Sequence, residues 1–183
     1  ASHALATLAE VVRSGSSVVF ITGAGISVAS GIAPFRGSPS AVWSPRTVKF
    51  GTKSSFSRDP LRWYNDFWLA GVIRWDAFYA AKPNPAHVAL ADIARCFPTV
   101  RCVTQNIDRL HRVFPGTIPR GQFVTAHGTA ELYRCELVER AGTSSSCASK
   151  DVAIDLWSFA SPEHQMRTGA LPRKLIQLPI CST

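Results

Sequence analysis

The chain lacks any apolar run near the roughly 18 residues that a membrane span needs, so no membrane span is expected. Its first residues lack the charged segment and the long apolar stretch of a secretory signal peptide. Basic residues exceed acidic ones by 20 to 12, for a net charge of +8, but no block of five or six lies together. A solvated basic surface and binding to nucleic acid or another polyanion both stay open.

The chain has few cysteines, and their number, five, is odd. Five cysteines without a secretory signal do not indicate a disulfide framework, and an intracellular, reducing compartment fits them best. Cys96 and Cys102 flank a predicted strand, and we expect both to be reduced, buried thiols. The length of 183 residues suits one domain, or one domain with a small insert.

The stretch VVFITGAGISVASGIAPFRG combines an apolar run with a glycine-rich turn. Val18 to Ile21 predict a buried strand, and Ile26 to Ser30 can begin a helix after the turn. The full G-x-G-x-x-G pattern is missing, because Val28 takes the third glycine position, and no lysine follows as in a P-loop. A site for a nucleotide phosphate and a plain strand–turn–helix corner therefore both remain possible.

Further elements follow from periodicity and turn signals. The N-terminal helix ends at Gly15, and residues 38–60 are predicted to be a long loop. Asp59 is the expected N-cap of a helix in the segment DPLRWYNDFWLAGVIRWDAFYAA, residues 59–81. The aromatic residues of that helix recur at helical spacing, which predicts core packing, with a platform for a ligand as the alternative.

The middle of the chain alternates strands with helices. KPNPAHVALADIARCF predicts a helix, Val100 to Thr104 a buried strand, IDRLHRVF another helix, and QFVTAHGTA a third strand. Such alternation predicts a parallel sheet of the α/β class. From Glu131 onward the chain is polar and rich in serine, without a clear period.

Polar groups follow all three predicted strands. Gly23-Ala24-Gly25 follows the first, Gln105 to Asp108 the second, and His127-Gly128 the third. Ligands bind outside the carboxyl ends of parallel strands, so these groups are expected to converge on one crevice. Asn106 and Asp108 could instead simply cap a helix, and His127 could be structural.

The motifs GAGISVASGIAPFRG, TQNIDRLH and AHG, in this order and spacing, resemble the sirtuins, which are NAD-dependent protein deacylases. The resemblance implies an α/β fold with a Rossmann-like parallel sheet and helices on both faces, incomplete here. It assigns residues 1–130 to the NAD-binding part and residues 131–183 to a small zinc-ribbon-like module. NAD and an acyl-lysine protein substrate would meet between the two parts.

Carried over by position, the resemblance also implies roles for single residues. His127 would be the general base, with Asn106 beside it in the catalytic centre. The implied NAD-binding residues are Gly23, Ala24, Gly25, Ser27, Phe35, Arg36, Gln105, Asn106, Ile107, Asp108 and His127. The implied reaction releases nicotinamide and transfers the acyl group from lysine to the ribose.

The chain departs from the family pattern at three places. Pro34 stands where the usual loop has a carboxylate, which predicts an altered loop geometry. Zinc is normally held by four thiolates in two C-x-x-C pairs, whereas only Cys135, Cys147 and Cys181 are available here, so the ligand set is incomplete. The strands that complete the family's sheet are not in this sequence, which predicts either a piece of a longer protein or a relative that packs against a partner.

Two functions remain open at this point. The first is NAD-dependent deacylation or ADP-ribosyl transfer, with closest likeness to the mitochondrial class II sirtuins and hence a mitochondrial location. The second is a catalytically inactive, sirtuin-derived structural subunit of a large protein or ribonucleoprotein assembly.

Overall fold

The computed structural model describes residues 2–34, 45–70, 73–133, 153–154, 156–160, 171–172 and 174–179. Its strands are β1 (Val18–Thr22), β2 (Val100–Thr104) and β3 (Phe123–Thr125). A π-helix covers Tyr64–Trp68, and 3-10 turns cover Arg120–Gln122 and Leu156–Phe159. The α-helices, in chain order, are α1 (Ser2–Arg13), α2 (Gly25–Val28), α3 (Pro45–Phe50), α4 (Lys53–Arg58), α5 (Pro60–Trp63), α6 (Trp75–Ala80) and α7 (Pro85–Cys96).

The chain forms two compact units. The first consists of Ala1–Pro34 and Ala81–Thr129, and the second of Phe35–Ala80 and Ala130–Thr183. Nothing in the sequence indicated that residues 35–80 group with the C-terminal residues. The predicted division at residue 130 separates an NAD-binding part from a zinc-ribbon-like module, and it stays a prediction.

The first unit contains a three-stranded parallel sheet in the order β1-β2-β3. Val18 pairs with Val100 and Thr22 with Thr104, while Thr125 lies on the other side of Thr104. Parallel strands, with α-helices in the connection from β1 to β2, confirm the α/β fold class. The register places the carboxyl ends of all three strands at the same edge of the sheet.

One face of this sheet carries the core of the first unit. Buried residues of β2 pack with Val12 of α1 and with Ala91 and Ala94 of α7. On the other face Val19, Ile21 and other apolar side chains are exposed. The sequence predicted helices on both faces; in the described part of this unit, the helices that pack on the sheet cover one face.

The helix α7 forms where the sequence places it. Asn84 is its N-cap, and its side-chain oxygen accepts hydrogen bonds from the backbone N–H groups of Ala86 and His87. Pro85 occupies the first helical position, where no backbone N–H is needed. This cap fixes the start of α7 close to the glycine turn, as described below.

The second unit is built around a cluster of aromatic rings. Trp63 stacks on Trp68 with ring centroids 5.5 Å apart, and Phe56 meets Trp63 edge to face at 5.3 Å. Tyr64 is buried beside Tyr133, and burial raises the pKa of its phenol. The predicted packing role of the aromatic residues is therefore confirmed for this cluster.

The helix predicted to begin at Asp59 is not continuous. Asp59 caps α5 as predicted, because its carboxylate accepts from the N–H of Arg62 at 3.0 Å. The π-helix then follows, with the N–H of Leu69 bonded to the carbonyl of Tyr64. A π-turn holds more residues than an α-turn, which brings the rings of Trp63 and Trp68, five positions apart, onto one side.

Two other predictions were wrong. Residues 38–60 are not loop throughout, because α3 and α4 lie within them; Thr52 caps α4 by accepting the N–H of Ser55. The segment IDRLHRVF forms turns instead of a helix. The Asp108 carboxylate accepts the N–H of Leu110 in a local turn, and Gly116 packs against the carbonyl of Leu110.

In the described ranges, no helix is both long and apolar enough to cross a membrane.

Candidate functional site

The glycine turn begins directly after β1. Gly23 and Gly25 have ordinary negative φ angles, and among the described residues nothing lies within 4 Å of the position of a Cβ added at either. A Cβ added at Gly116 would instead lie 2.6 Å from the carbonyl oxygen of Leu110. Neither backbone strain nor packing against described residues therefore requires glycine at positions 23 and 25, which leaves the turn's surface open to a close ligand.

A buried hydrogen-bond cluster lies next to this turn. The hydroxyl of Ser27 donates to Oδ2 of Asp108 at 2.8 Å. Nδ2 of Asn106 donates to the carbonyl of Gly23 at 3.0 Å and contacts the Ser27 hydroxyl oxygen at 3.2 Å. Ser27 is 0% exposed, Asn106 3% and Asp108 6%. The structure thus brings together four residues that the sequence assigned to one site.

The backbone after β2 holds this cluster in place. The N–H of Gln105 donates to the carbonyl of Thr22, and the N–H of Asn106 donates to the hydroxyl of Thr104. Oδ1 of Asp108 accepts from the N–H of Leu110 at 3.0 Å. The alternative in which Asp108 caps a helix was wrong, because residues 108–114 form turns; one oxygen of Asp108 fixes this local turn and the other binds Ser27.

His127 lies at the same edge of the sheet. The N–H of Ala126 bonds to the carbonyl of Thr104, and Gly128 turns the chain with φ of 72°. The side chain of His127 is exposed, as is that of Gln105, whereas Ile107 is half-buried. Within the described residues no hydrogen bond is found between His127 and the cluster. Phe35 and Arg36, also assigned to the cofactor site, lie outside the described residues.

The sequence reasoning missed Asn84 as part of this neighbourhood. Its Nδ2 donates to the carbonyl of Ile26 at 2.7 Å and to the hydroxyl of Ser30 at 3.0 Å. One side chain therefore caps α7 and also holds α2, which follows the glycine turn. The motif PNPAHVAL was the available signal, since an asparagine before proline at a helix start predicts an N-cap.

Two buried histidines complete the polar interior of this unit. Nε2 of His111 lies 3.1 Å from the hydroxyl of Thr22, the last residue of β1. Burial lowers the pKa of His111 to about 4, with His87 acting in the same direction and Asp108 opposing. Burial also lowers the pKa of His87. Both rings are therefore neutral at physiological pH.

The cysteines divide between the two parts of the chain. Cys102 is a buried thiol as predicted, and burial raises its pKa; Cys96 is exposed, so its predicted burial was wrong. Cys135, Cys147 and Cys181, the possible zinc ligands, lie outside the described residues. Within the described ranges, no group of three metal-binding side chains is found. No chemistry is therefore assigned to zinc.

Comparison with known proteins decides the family. A model of the Sir2 family matches residues 23–156, which include the glycine turn and the polar groups that follow β2 and β3. The chain belongs to the Sir2 family. It is 35% identical over 128 residues to the NAD-dependent deacetylase sir2E of Dictyostelium discoideum, a match that covers 70% of this chain and 36% of that protein.

Solved structures of Sir2 proteins agree with the fold. A Sir2 homolog–NAD complex matches 90% of this chain and 51% of its own, with a TM-score of 0.57 and 26% identity. A Sir2–p53 peptide–NAD⁺ complex matches 75% and 47%, with a TM-score of 0.52 and 31% identity. The chain thus spans about half or less of the length of these relatives. Sirtuin membership and the Rossmann-like sheet are confirmed, whereas the class II subtype stays a prediction.

Proposed function

We propose that this protein is an NAD-dependent protein deacylase of the sirtuin type, acting on acylated lysines of proteins. The single observation that carries the proposal is the cluster of Ser27, Asn106 and Asp108 beside two glycines that neither strain nor described packing requires. A relative named as an NAD-dependent deacetylase and a Sir2 complex with a peptide and NAD⁺ support the cofactor and the substrate class.

The residues present fit NAD. The open surface of Gly23 and Gly25 accommodates the close approach of a phosphate group, which a Cβ would hinder. When bound, NAD supplies a ribose carbon from which nicotinamide can leave as the acyl oxygen attacks. Asn106 and Asp108 are nearly fully buried, so this region has few contacts with water. Exclusion of water favours hydrogen bonds to the carboxamide group of nicotinamide.

His127 is the proposed general base. Its side chain is exposed at the end of β3, so it can accept a proton from a ribose hydroxyl that enters the site from solvent. Asn106 is placed differently, since its amide already bonds to Gly23 and Ser27. We assign to Asn106 the shaping of the catalytic pocket.

Nicotinamide release from NAD in the presence of an acetylated peptide tests the proposal. His127→Ala should lower the rate by about a hundredfold or more while NAD binding is kept, because only the proton acceptor is lost. His3→Ala, at an exposed position in α1, is the matched control. Equal rates for the His127 and His3 variants would contradict the assignment.

Asp108→Asn tests the pocket separately. The substitution keeps the shape and the acceptor for Leu110, but it removes the charge that Ser27 binds. Loss of a charged acceptor costs about 1.5–3 kcal/mol, or roughly tenfold to a hundredfold in turnover. An unchanged rate of NAD consumption would show that Asp108 only holds the local turn, and it would contradict the assignment of Asp108 to the nicotinamide pocket.

Finer parts of the proposal rest on the sequence alone. These are a mitochondrial location, a class II subtype and ADP-ribosyl transfer as a further reaction. The alternative of an inactive subunit in a larger assembly receives no support from the comparisons, because the relatives reported above include a named deacetylase. Transfer of labelled ADP-ribose to protein, measured beside deacylation, separates the two reactions.

A further inference from the structure

Gln122 stands directly before β3, and its side chain donates to three carbonyl groups. Its Nε2 lies 2.7 Å from the carbonyl oxygen of Ala94, 3.0 Å from that of Phe97 and 2.9 Å from that of Val100. A carboxamide NH₂ group has two hydrogens, so at least one of them is shared between two of these acceptors. One half-buried side chain therefore bonds both to the end of α7 and to the start of β2.

The bond to Val100 takes a place that the backbone leaves open. In the ladder between β2 and β3, the carbonyl of Thr104 accepts the N–H of Ala126. A parallel ladder repeats every two residues along both strands, so its continuation would join the carbonyl of Val100 to the backbone N–H of Gln122. That N–H donates instead to the carbonyl of Pro119, in the 3-10 turn that precedes β3. The carboxamide of Gln122 thus supplies the donor that its own backbone does not give to the ladder.

The strand β3 has few other contacts that could fix its register. It has three residues; of its apolar residues Phe123 packs against the core of the first unit, whereas Val124 is 57% exposed. Among the described strands, β3 pairs with β2 alone. A slip of one residue in the pairing would turn every side chain of the strand to the opposite face. The place where β3 ends therefore depends on the anchor at its start.

We propose that Gln122 is a positioning residue that fixes the register of β3 and thereby places His127 at the carboxyl edge of the sheet. The bonds of its carboxamide select one register, because their acceptors lie at the end of α7 and the start of β2. The bond from Ala126 to Thr104, directly before His127, then ends the ladder. The inference rests on the proposed role of His127 as general base, but the register can be measured without that role.

Hydrogen exchange in the unsubstituted protein, followed by NMR, tests the anchor itself. A hydrogen-bonded amide proton exchanges only when its bond opens. The side-chain amide protons of Gln122 should therefore exchange at least about tenfold more slowly than those of Gln177, an exposed glutamine. Equal rates for the two glutamines would overturn the proposal.

Gln122→Met tests the effect on β3, because methionine keeps the length of the side chain but donates no hydrogen bond. The N–H of Ala126 should exchange at least about tenfold faster. The N–H of Gln105, which donates to the carbonyl of Thr22 between β1 and β2, should keep its rate. A general loss of stability would accelerate both amides alike. An unchanged rate at Ala126, or equal acceleration of both amides, would refute the positioning role.

Kinetics connect the register to catalysis. With an acetylated peptide and NAD, Gln122→Met should lower kcat about tenfold to a hundredfold through the displacement of His127, while NAD affinity stays nearly unchanged. Gln122→Lys, whose ammonium group offers three N–H donors, should recover most of the rate. Gln177→Met is the matched control and should behave as the parent protein does. An unchanged kcat in Gln122→Met would overturn the link to His127.

The two proposals fail in different ways. If the unsubstituted protein binds no NAD by calorimetry, the proposed function is wrong, and the exchange rates still decide whether Gln122 fixes β3. If Gln122→Met does not fold, the side-chain exchange of Gln122 in the unsubstituted protein decides alone.

Discussion

Ser27 is the residue whose removal should disturb the candidate site most. Its hydroxyl is fully buried, donates to Oδ2 of Asp108 at 2.8 Å and lies 3.2 Å from Nδ2 of Asn106. Ser27→Ala deletes both contacts and leaves one oxygen of a nearly buried carboxylate without its donor. Asn106 keeps its bond to the carbonyl of Gly23.

The magnitude follows from these contacts. A hydrogen bond to a charged group contributes about 1.5–3 kcal/mol, and a neutral one about 1 kcal/mol. Because Asn106 retains a second acceptor, the loss in the free energy of unfolding should be about 2–4 kcal/mol. Urea denaturation should show a lower midpoint with an unchanged slope, since the surface exposed on unfolding stays the same.

A double-mutant cycle isolates the contact of Ser27 with Asp108. In the Asp108→Asn background, Ser27→Ala should cost at least about 1 kcal/mol less than in the parent, because the charged acceptor is already gone. Ser30→Ala is the matched control. Among the described residues, the Ser30 hydroxyl accepts one bond from Asn84, and Asn84 keeps its shorter bond to Ile26. A cost for Ser27→Ala no greater than for Ser30→Ala, or a coupling energy near zero, would refute this reasoning.

Three further predictions concern the same unit. Gly23→Ala should leave stability nearly unchanged but weaken NAD binding at least tenfold, whereas Gly116→Ala should destabilise the protein, because its Cβ would meet a carbonyl oxygen at 2.6 Å. Burial lowers the pKa of His111 from 6.5 to about 4, so as the pH falls the unfolded chain takes up a proton at His111 before the folded protein does. The free energy of unfolding should therefore fall by at most about 3 kcal/mol as the pH drops through that interval. In His111→Gln this pH-dependent loss of stability should be absent. Asn84→Asp should keep the cap of α7, because a carboxylate oxygen still accepts, but it should lose the bond donated to the Ile26 carbonyl in α2. Thermal unfolding measures the effect on stability, and calorimetry measures the effect on NAD binding.

Each of these has a result that contradicts it. Unchanged NAD affinity in Gly23→Ala would show that nothing approaches the turn closely. Identical pH profiles for the parent and His111→Gln would show that this ring titrates alike in both states. Full NAD affinity in Asn84→Asp would show that the bond to Ile26 does not support the turn.

Local sequence patterns determined the elements that depend on burial and on caps. The apolar runs at Val18 and Val100 predicted strands β1 and β2 almost to the residue, because a strand that packs one face against the core favours β-branched residues. Asp59 was predicted as a helix start, since a short polar side chain before proline satisfies the first free N–H groups, and Asn84 offers the same signal. The placement of the site at the strand ends also followed from these patterns, because parallel strands end at one edge.

The sequence did not determine the partners of the site residues. Asp108 looked like the start of a helix, yet it bonds to Ser27, 81 residues away, and Asn84 reaches Ile26 over 58 residues. His87 and His111 carried no signal of their contact. Periodicity and capping report which side of an element is buried and where it begins, whereas a hydrogen bond between distant side chains depends on strand register and helix packing. Only the tertiary structure decides those, and so it alone determined which of these polar groups bond to one another beside the glycine turn.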